Sequence, residues 1–163
     1  MTGRGFRLAC AEEEMPLVEE LLREEGFELE APAFDDRARV AVSGPRALGS
    51  SVAAFFGLVY IQDLTSMLPP LVLAPQRGEV VLDLCAAPGG KTGILSRLAG
   101  AEGAVVANEP APRRLSVLRN NLHLLECFNT VTTSYPGEGF PEAGPFPGIL
   151  LDAPCSGWGT AEK

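Results

Sequence analysis

The 163-residue chain is 46% apolar and 21% charged, with a formal net charge of −8 and a pI near 4.7. That length allows one full core plus a smaller piece, and the acidic balance counts against a general nucleic-acid-binding module, whose phosphate contacts need Lys and Arg. No apolar run approaches the roughly 18 residues of a membrane span, no basic-then-apolar leader opens the chain, and Cys10, Cys85, Cys127 and Cys155 form no Cys-x-x-Cys pair beside the single histidine, His123, so a soluble, cytoplasmic protein with no metal or disulfide framework is expected.

In chain order, residues 6–10 alternate weakly and read as a strand. Residues 16–25 read as a helix: Pro16 suits the first turn, Leu17, Val18, Leu21 and Leu22 make one apolar stripe, and Gly26 stops it. The acidic run Glu12, Glu13, Glu14 is a solvated loop ahead of that helix, with a charge that suits its N-terminus. Residues 27–31 and 38–42 read as two strands joined by a turn at Phe34, Asp35 and Asp36. The turn cluster Ser43-Gly44-Pro45 marks the expected boundary between a small N-terminal α+β piece, residues 1–44, and a second domain, residues 45–163. Residues 48–57 read as a connector. Asp63 is placed to cap a helix carrying Leu64, Met67, Leu68, Leu71 and Val72, kinked by Pro69 and Pro70; Tyr60 and Gln62 are either its packed entry or ligand-facing.

Residues 80–92, VVLDLCAAPGGKT, organise the rest. Val80, Val81, Leu82 and Leu84 form a short apolar run between Gly78 and Pro88, the pattern of a buried parallel strand, with Asp83 near its carboxyl end. Ile94, Leu95 and Leu98 recur at helical spacing after Gly89 and Gly90, so the unit is strand, Gly-rich turn and helix, where open α/β sheets bind nucleotides. A phosphate-binding P-loop would need its first glycine where Cys85 stands, and Ala86-Ala87-Pro88-Gly89-Gly90 does not spell a dinucleotide fingerprint. Pro88 also removes an N–H and stiffens the turn, which suits an adenosyl ligand without phosphates better than a phosphate cradle.

Residues 104–108 are the second strand. Glu109, 20 residues after Gly89, falls close to where such folds place the carboxylate that receives ribose hydroxyls. Residues 112–127 are an amphipathic helix with Leu115, Leu118, Leu122 and Leu125 inward, Arg113 and Arg114 at its start, and Asn120, Asn121 and His123 on its outer face. Residues 130–134 make a third strand, residues 136–148 a Pro- and Gly-rich loop without regular structure, and Ile149, Leu150 and Leu151 a fourth strand ending at Asp152.

Leu82-Asp83-Leu84-Cys85-Ala86-Ala87-Pro88-Gly89-Gly90-Lys91-Thr92, with Leu151-Asp152-Ala153-Pro154-Cys155-Ser156-Gly157 a βαβαβ unit further on, resembles the Sun/Fmu family of RNA (cytosine-5) methyltransferases. The resemblance is close from Leu48 onward and loose before it. It implies a Rossmann-like core using S-adenosylmethionine, incomplete at its C-terminal end, with rRNA or tRNA as partner and a monomeric state. The residues it assigns to the cofactor are Cys85, Ala86, Ala87, Pro88, Gly89, Gly90, Lys91, Glu109, Arg114 and Asp152, although Cys85 also reads as a packing residue. The Tyr-x-Gln stretch at Tyr60 and Gln62 lines the cofactor pocket in the family, and the N-terminal piece resembles part of its RNA-binding-like domain. Two family acids, at about Pro136 for the adenine and near Pro147, are missing here, so either cofactor affinity is weaker or Glu138 or a backbone group serves instead.

Carbon 5 of cytosine is a weak nucleophile, so such enzymes first add a thiolate at carbon 6. By resemblance, Asp152 and Cys155 are catalytic: Asp152 orients the base, and Cys155 assists release by helping to remove the carbon 5 proton. The family nucleophile lies further on in a Thr-Cys motif that these 163 residues lack, so the chain alone is expected to be inactive. In DNA cytosine-5 methyltransferases the matching Pro-Cys cysteine itself attacks, and the motif in isolation suggests that equally. A non-catalytic cofactor-binding pseudoenzyme or RNA assembly factor, and a small-molecule binding protein with no RNA partner, are the alternatives.

Overall fold

The structure is a computed structural model that describes residues 3–141 and 144–153. It divides into two units, Met1–Leu68 with His123–Glu126 and Pro69–Leu122 with Cys127–Lys163.

In the first unit, β1 (Arg4–Leu8), α1 (Met15–Glu24), β2 (Glu28–Glu30), β3 (Ala38–Ser43), α2 (Val52–Phe55) and β4 (Val59–Ile61) follow in order, and the strands form an antiparallel sheet β2-β3-β1-β4. β1 starts two residues before the expected strand because two partners fix its register: Phe6 stands opposite both Arg39 and Ile61. Phe6 and Leu8 then share the buried face. α1 buries Val18 and Leu22, but Leu17, placed in the apolar stripe from sequence, is 66% exposed. At 3.6 residues per turn it lies about 120° round the helix from the Val18–Leu22 midline. The acidic run is a 3₁₀ turn, Glu12–Glu14, closed by the Glu14 carboxylate accepting the Ala11 N–H at 2.9 Å.

The boundary expected at Ser43-Gly44-Pro45 is corrected: this unit runs on to Leu68. β4 hydrogen-bonds along β1, and Leu48, Ala53 and Val59 complete one buried core with Phe6, Leu8 and Leu22. Residues 48–57 are therefore part of the core structure, a 3₁₀ turn Leu48–Ser50 followed by α2, whose N-terminus is capped by Ser51 Oγ accepting the Ala54 N–H at 3.1 Å. Asp63 precedes the 3₁₀ turn Leu64–Met67 but makes no side-chain cap. Pro69 and Pro70 do not kink a longer helix; they occupy the first turn of the short α3 (Leu68–Leu73), where proline is tolerated.

The second unit continues with β5 (Val80–Asp83), α4 (Gly90–Ala99), β6 (Ala104–Asn108), α5 (Pro112–Leu124), β7 (Thr130–Thr133) and β8 (Ile149–Leu150). Its strands are all parallel in the order β7-β6-β5-β8, the Rossmann-like arrangement expected, and the order reverses between β5 and β8. Val81, Val105 and Leu150 pack with Leu95 of α4, and Ala86, Ala87 and Ala107 pack under Leu115, Leu118 and Leu122 of α5. α4 is held at both ends. At its start Thr92 Oγ1 donates to Asp83 Oδ2 at 2.7 Å; at its close Asn129 Nδ2 donates to the Ser96 and Gly100 carbonyls at 3.0 and 2.8 Å. β8 is one residue shorter than expected, and the loop after β7 carries a 3₁₀ turn, Gly137–Gly139. Among the described residues no helix is long and apolar enough to cross a membrane, and no cluster of His, Cys, Asp and Glu is placed to hold a metal ion.

Candidate active site

The carboxyl ends of β5, β6 and β8 bring together most of the residues marked in the sequence. After β5 the backbone turns through Leu84 to Gly89 and enters α4 at Gly90. Gly89 has φ of +109°, a conformation that L side chains rarely adopt, and a Cβ there would meet Leu118 Cδ1 at 3.1 Å. Gly89→Ala is expected to destabilise the second unit by about 1–2 kcal/mol, read from the shift in urea midpoint.

The turn is gripped from α5. Arg114 Nη2 donates to the Ala87 carbonyl at 2.8 Å, and Asn121 Nδ2 to the Pro88 carbonyl at 2.7 Å. Asn121, read from sequence as an outer-face residue, is thus a support of the turn. Its partner lies 33 positions away in sequence, and helical periodicity carries no mark of such a bond. Arg114, assigned to the cofactor by resemblance, also touches Glu109, its Nη1 standing 3.4 Å from Glu109 Oε2.

Glu109 is 1% exposed at the end of β6. Its Oε1 accepts the Ala111 N–H at 3.0 Å, while Oε2, beyond the Arg114 ion pair, receives no hydrogen bond among the described residues. A buried carboxylate oxygen without a donor is costly, and a donor brought by a bound ligand would relieve that cost.

Asp83 is the other buried carboxylate. Burial pushes its carboxyl up from an ordinary 3.8 to about 6, against the Thr92 hydroxyl, the Lys91 ammonium and the Cys85 N–H, which hold it down, and with the Asp152 charge adding to the rise. Burial, followed by the Asp83 and Glu109 carboxylates, also pushes the Cys85 thiol up. Cys85 is thus a half-buried thiol in surroundings that disfavour the thiolate.

Across the switch point Lys91 Nζ donates to Asp152 Oδ2 at 2.6 Å, joining the start of α4 to the residues after β8. Cys155 lies outside the described residues. Tyr60 and Gln62 belong to the first unit: the Arg7 guanidinium sits 5.3 Å from the Tyr60 ring centre, and Gln62 Nε2 is buried without a hydrogen-bond acceptor among the described residues.

Asn108, which sequence reasoning passes over, is fully buried at the end of β6. Its Nδ2 donates to the Leu84 and Tyr135 carbonyls at 3.1 and 2.9 Å, and its Oδ1 accepts the Thr133 hydroxyl and the Tyr135 N–H, both at 2.9 Å. A polar residue closing an otherwise apolar strand next to Glu109 is the available signal.

A parallel sheet in this order, with a glycine turn after its first strand and a buried acid after its second, defines a protein of the Rossmann-like class, a fold that binds nucleosides and nucleotides at this edge. Residues 70–163, more than half of the chain, match the family described as 16S rRNA methyltransferase RsmB/F, and the chain belongs to that family. It is 42% identical over 117 residues to the human 28S rRNA (cytosine(4447)-C(5))-methyltransferase, covering 71% of this chain and 14% of the relative. It is 44% identical over 123 residues to the ribosomal RNA small subunit methyltransferase F of Escherichia coli K12, covering 71% of this chain and 25% of the relative. The chain thus spans a quarter or less of either protein. Among solved structures, a methyltransferase homolog protein from Pyrococcus horikoshii superposes with a TM-score of 0.87 at 33% identity, over 98% of this chain and 53% of the other.

Proposed function

We propose that this chain is part of an S-adenosylmethionine-dependent methyltransferase that forms 5-methylcytosine in RNA, with ribosomal RNA as the substrate. The observation that carries the reading is Glu109, a buried acid at the end of the second strand with one oxygen lacking a donor. Ribose hydroxyls supply such donors.

The residues fit the cofactor. Cys85, Ala86, Ala87, Pro88, Gly89 and Gly90 form a turn that would hold its non-phosphorylated chain, and Glu109 would take its ribose. S-adenosylmethionine supplies an electrophilic methyl group carried on a sulfonium. Arg114 and Asn121 fix the turn through the Ala87 and Pro88 carbonyls. Asp152, more than half exposed and anchored by Lys91, accepts a hydrogen bond from the exocyclic amine of the cytosine and so orients carbon 5. Cys155 takes the release role, helping to remove the carbon 5 proton after methylation.

The names of the human and bacterial relatives favour ribosomal over transfer RNA, and a cytoplasmic, monomeric enzyme without metal suits that role. The test is incubation of methyl-labelled S-adenosylmethionine and unmethylated ribosomal RNA with these 163 residues and with a longer chain that carries the Thr-Cys motif. Label at carbon 5 of cytosine from the longer chain, lost in its Asp152→Ala variant, supports the proposal. Cofactor binding without transfer by the longer chain favours a non-catalytic RNA factor, and no cofactor binding at millimolar concentration overturns the site.

A further inference from the structure

We propose that Asn108 is a positioning residue of the cofactor pocket, locking the turn after β5 to the loop after β7 so that both walls are set before the ligand arrives. The inference rests on the reading of the pocket given above. It starts from how fully this one side chain is used. A side-chain amide offers two donors and two acceptor sites, and all four are engaged here.

The partners come from three places. Leu84 opens the glycine turn, Thr133 ends β7, and Tyr135 contributes both its N–H and its carbonyl from the following loop. The Asn108 main-chain carbonyl adds a fifth tie, accepting the Ala86 N–H at 2.9 Å. A residue that stabilised β6 alone would not reach both loops. Asn108 is also the immediate neighbour of Glu109, so the network that sets the two loops also sets the strand end that presents the ribose acceptor. Leucine or valine would fill the volume but leave the Leu84 carbonyl and both Tyr135 groups without these partners, free to drift toward solvent.

The decisive variant is Asn108→Asp, which keeps the shape and the acceptor but puts a carboxylate against two carbonyls. Calorimetric titration with S-adenosylmethionine, at a temperature where circular dichroism shows parent and variant both folded, should give at least tenfold weaker binding at pH 8. The ratio to the parent should narrow on going to pH 6, because the introduced carboxyl regains one donor when it is protonated. Thr133→Val removes one of the four bonds at a half-buried site and should weaken binding about threefold, which keeps the inference testable if the aspartate variant fails to fold. Folded variants that bind like the parent, with no pH-dependent ratio, would overturn the positioning role while leaving the pocket intact. A parent that does not bind S-adenosylmethionine would overturn the pocket, and this inference with it.

Discussion

Glu109→Ala is expected to weaken S-adenosylmethionine binding by tenfold to about a hundredfold, measured by calorimetric titration of the folded protein. Hydrogen bonds to a charged acceptor contribute about 1.5–3 kcal/mol, and each 1.4 kcal/mol is a factor of ten. The upper part of the range applies because the carboxylate is buried and one oxygen waits for a donor. Glu109→Gln keeps one acceptor oxygen and should fall between. Equal affinity in Glu109→Ala would remove this residue from the site.

The second large effect is on stability and concerns Asp83. Its carboxyl is raised from 3.8 to about 6 by burial, so the folded state prefers the protonated form. With the folded value above the unfolded one, stability is fully present below pH 3.8, falls as the pH rises toward 6, and stays reduced above it. A gap of about two pH units at 1.36 kcal/mol each sets the loss at about 3 kcal/mol. Asp83→Asn carries no such charge. Urea unfolding at pH 4 and at pH 7.5 should therefore show the variant gaining on the parent by about 2–3 kcal/mol between the two, with the other titrating groups cancelling in the comparison. A difference that stays constant with pH would mean that Asp83 does not titrate in this window.

What the sequence makes legible follows the range of the forces involved. The run from Val80 to Leu84 reads as a parallel strand because burial on both faces needs an unbroken apolar stretch, and Glu109 stands out because the length of a strand-turn-helix-strand unit fixes the spacing. β4 is invisible to such reasoning: three residues carry no period, and only the edge of β1, some fifty positions earlier, makes Val59–Ile61 a strand. For the same reason the expected boundary falls at a local turn, although the core of the first unit closes only with Leu48, Ala53 and Val59. Pro69 and Pro70 read as a kink only if a longer helix is drawn through them. Asn108 and Asn121 act through carbonyls 24 to 33 positions away, and a side chain that bonds backbone leaves no trace in its partner's identity.

The bracing of α4 at both ends has a consequence for how the molecule breathes. Helices normally fray from their termini, and such fraying is the cheapest opening available to a folded chain. With Thr92 tied to Asp83 at one end and Asn129 tied to Ser96 and Gly100 at the other, that route is closed from both sides. The amides at the start of α4 are then expected to open with the sheet beneath them, as one cooperative block, which hydrogen exchange would read. On the proposed reading, a cofactor bound at that end would meet a surface already ordered, and ordering it would take little from its affinity.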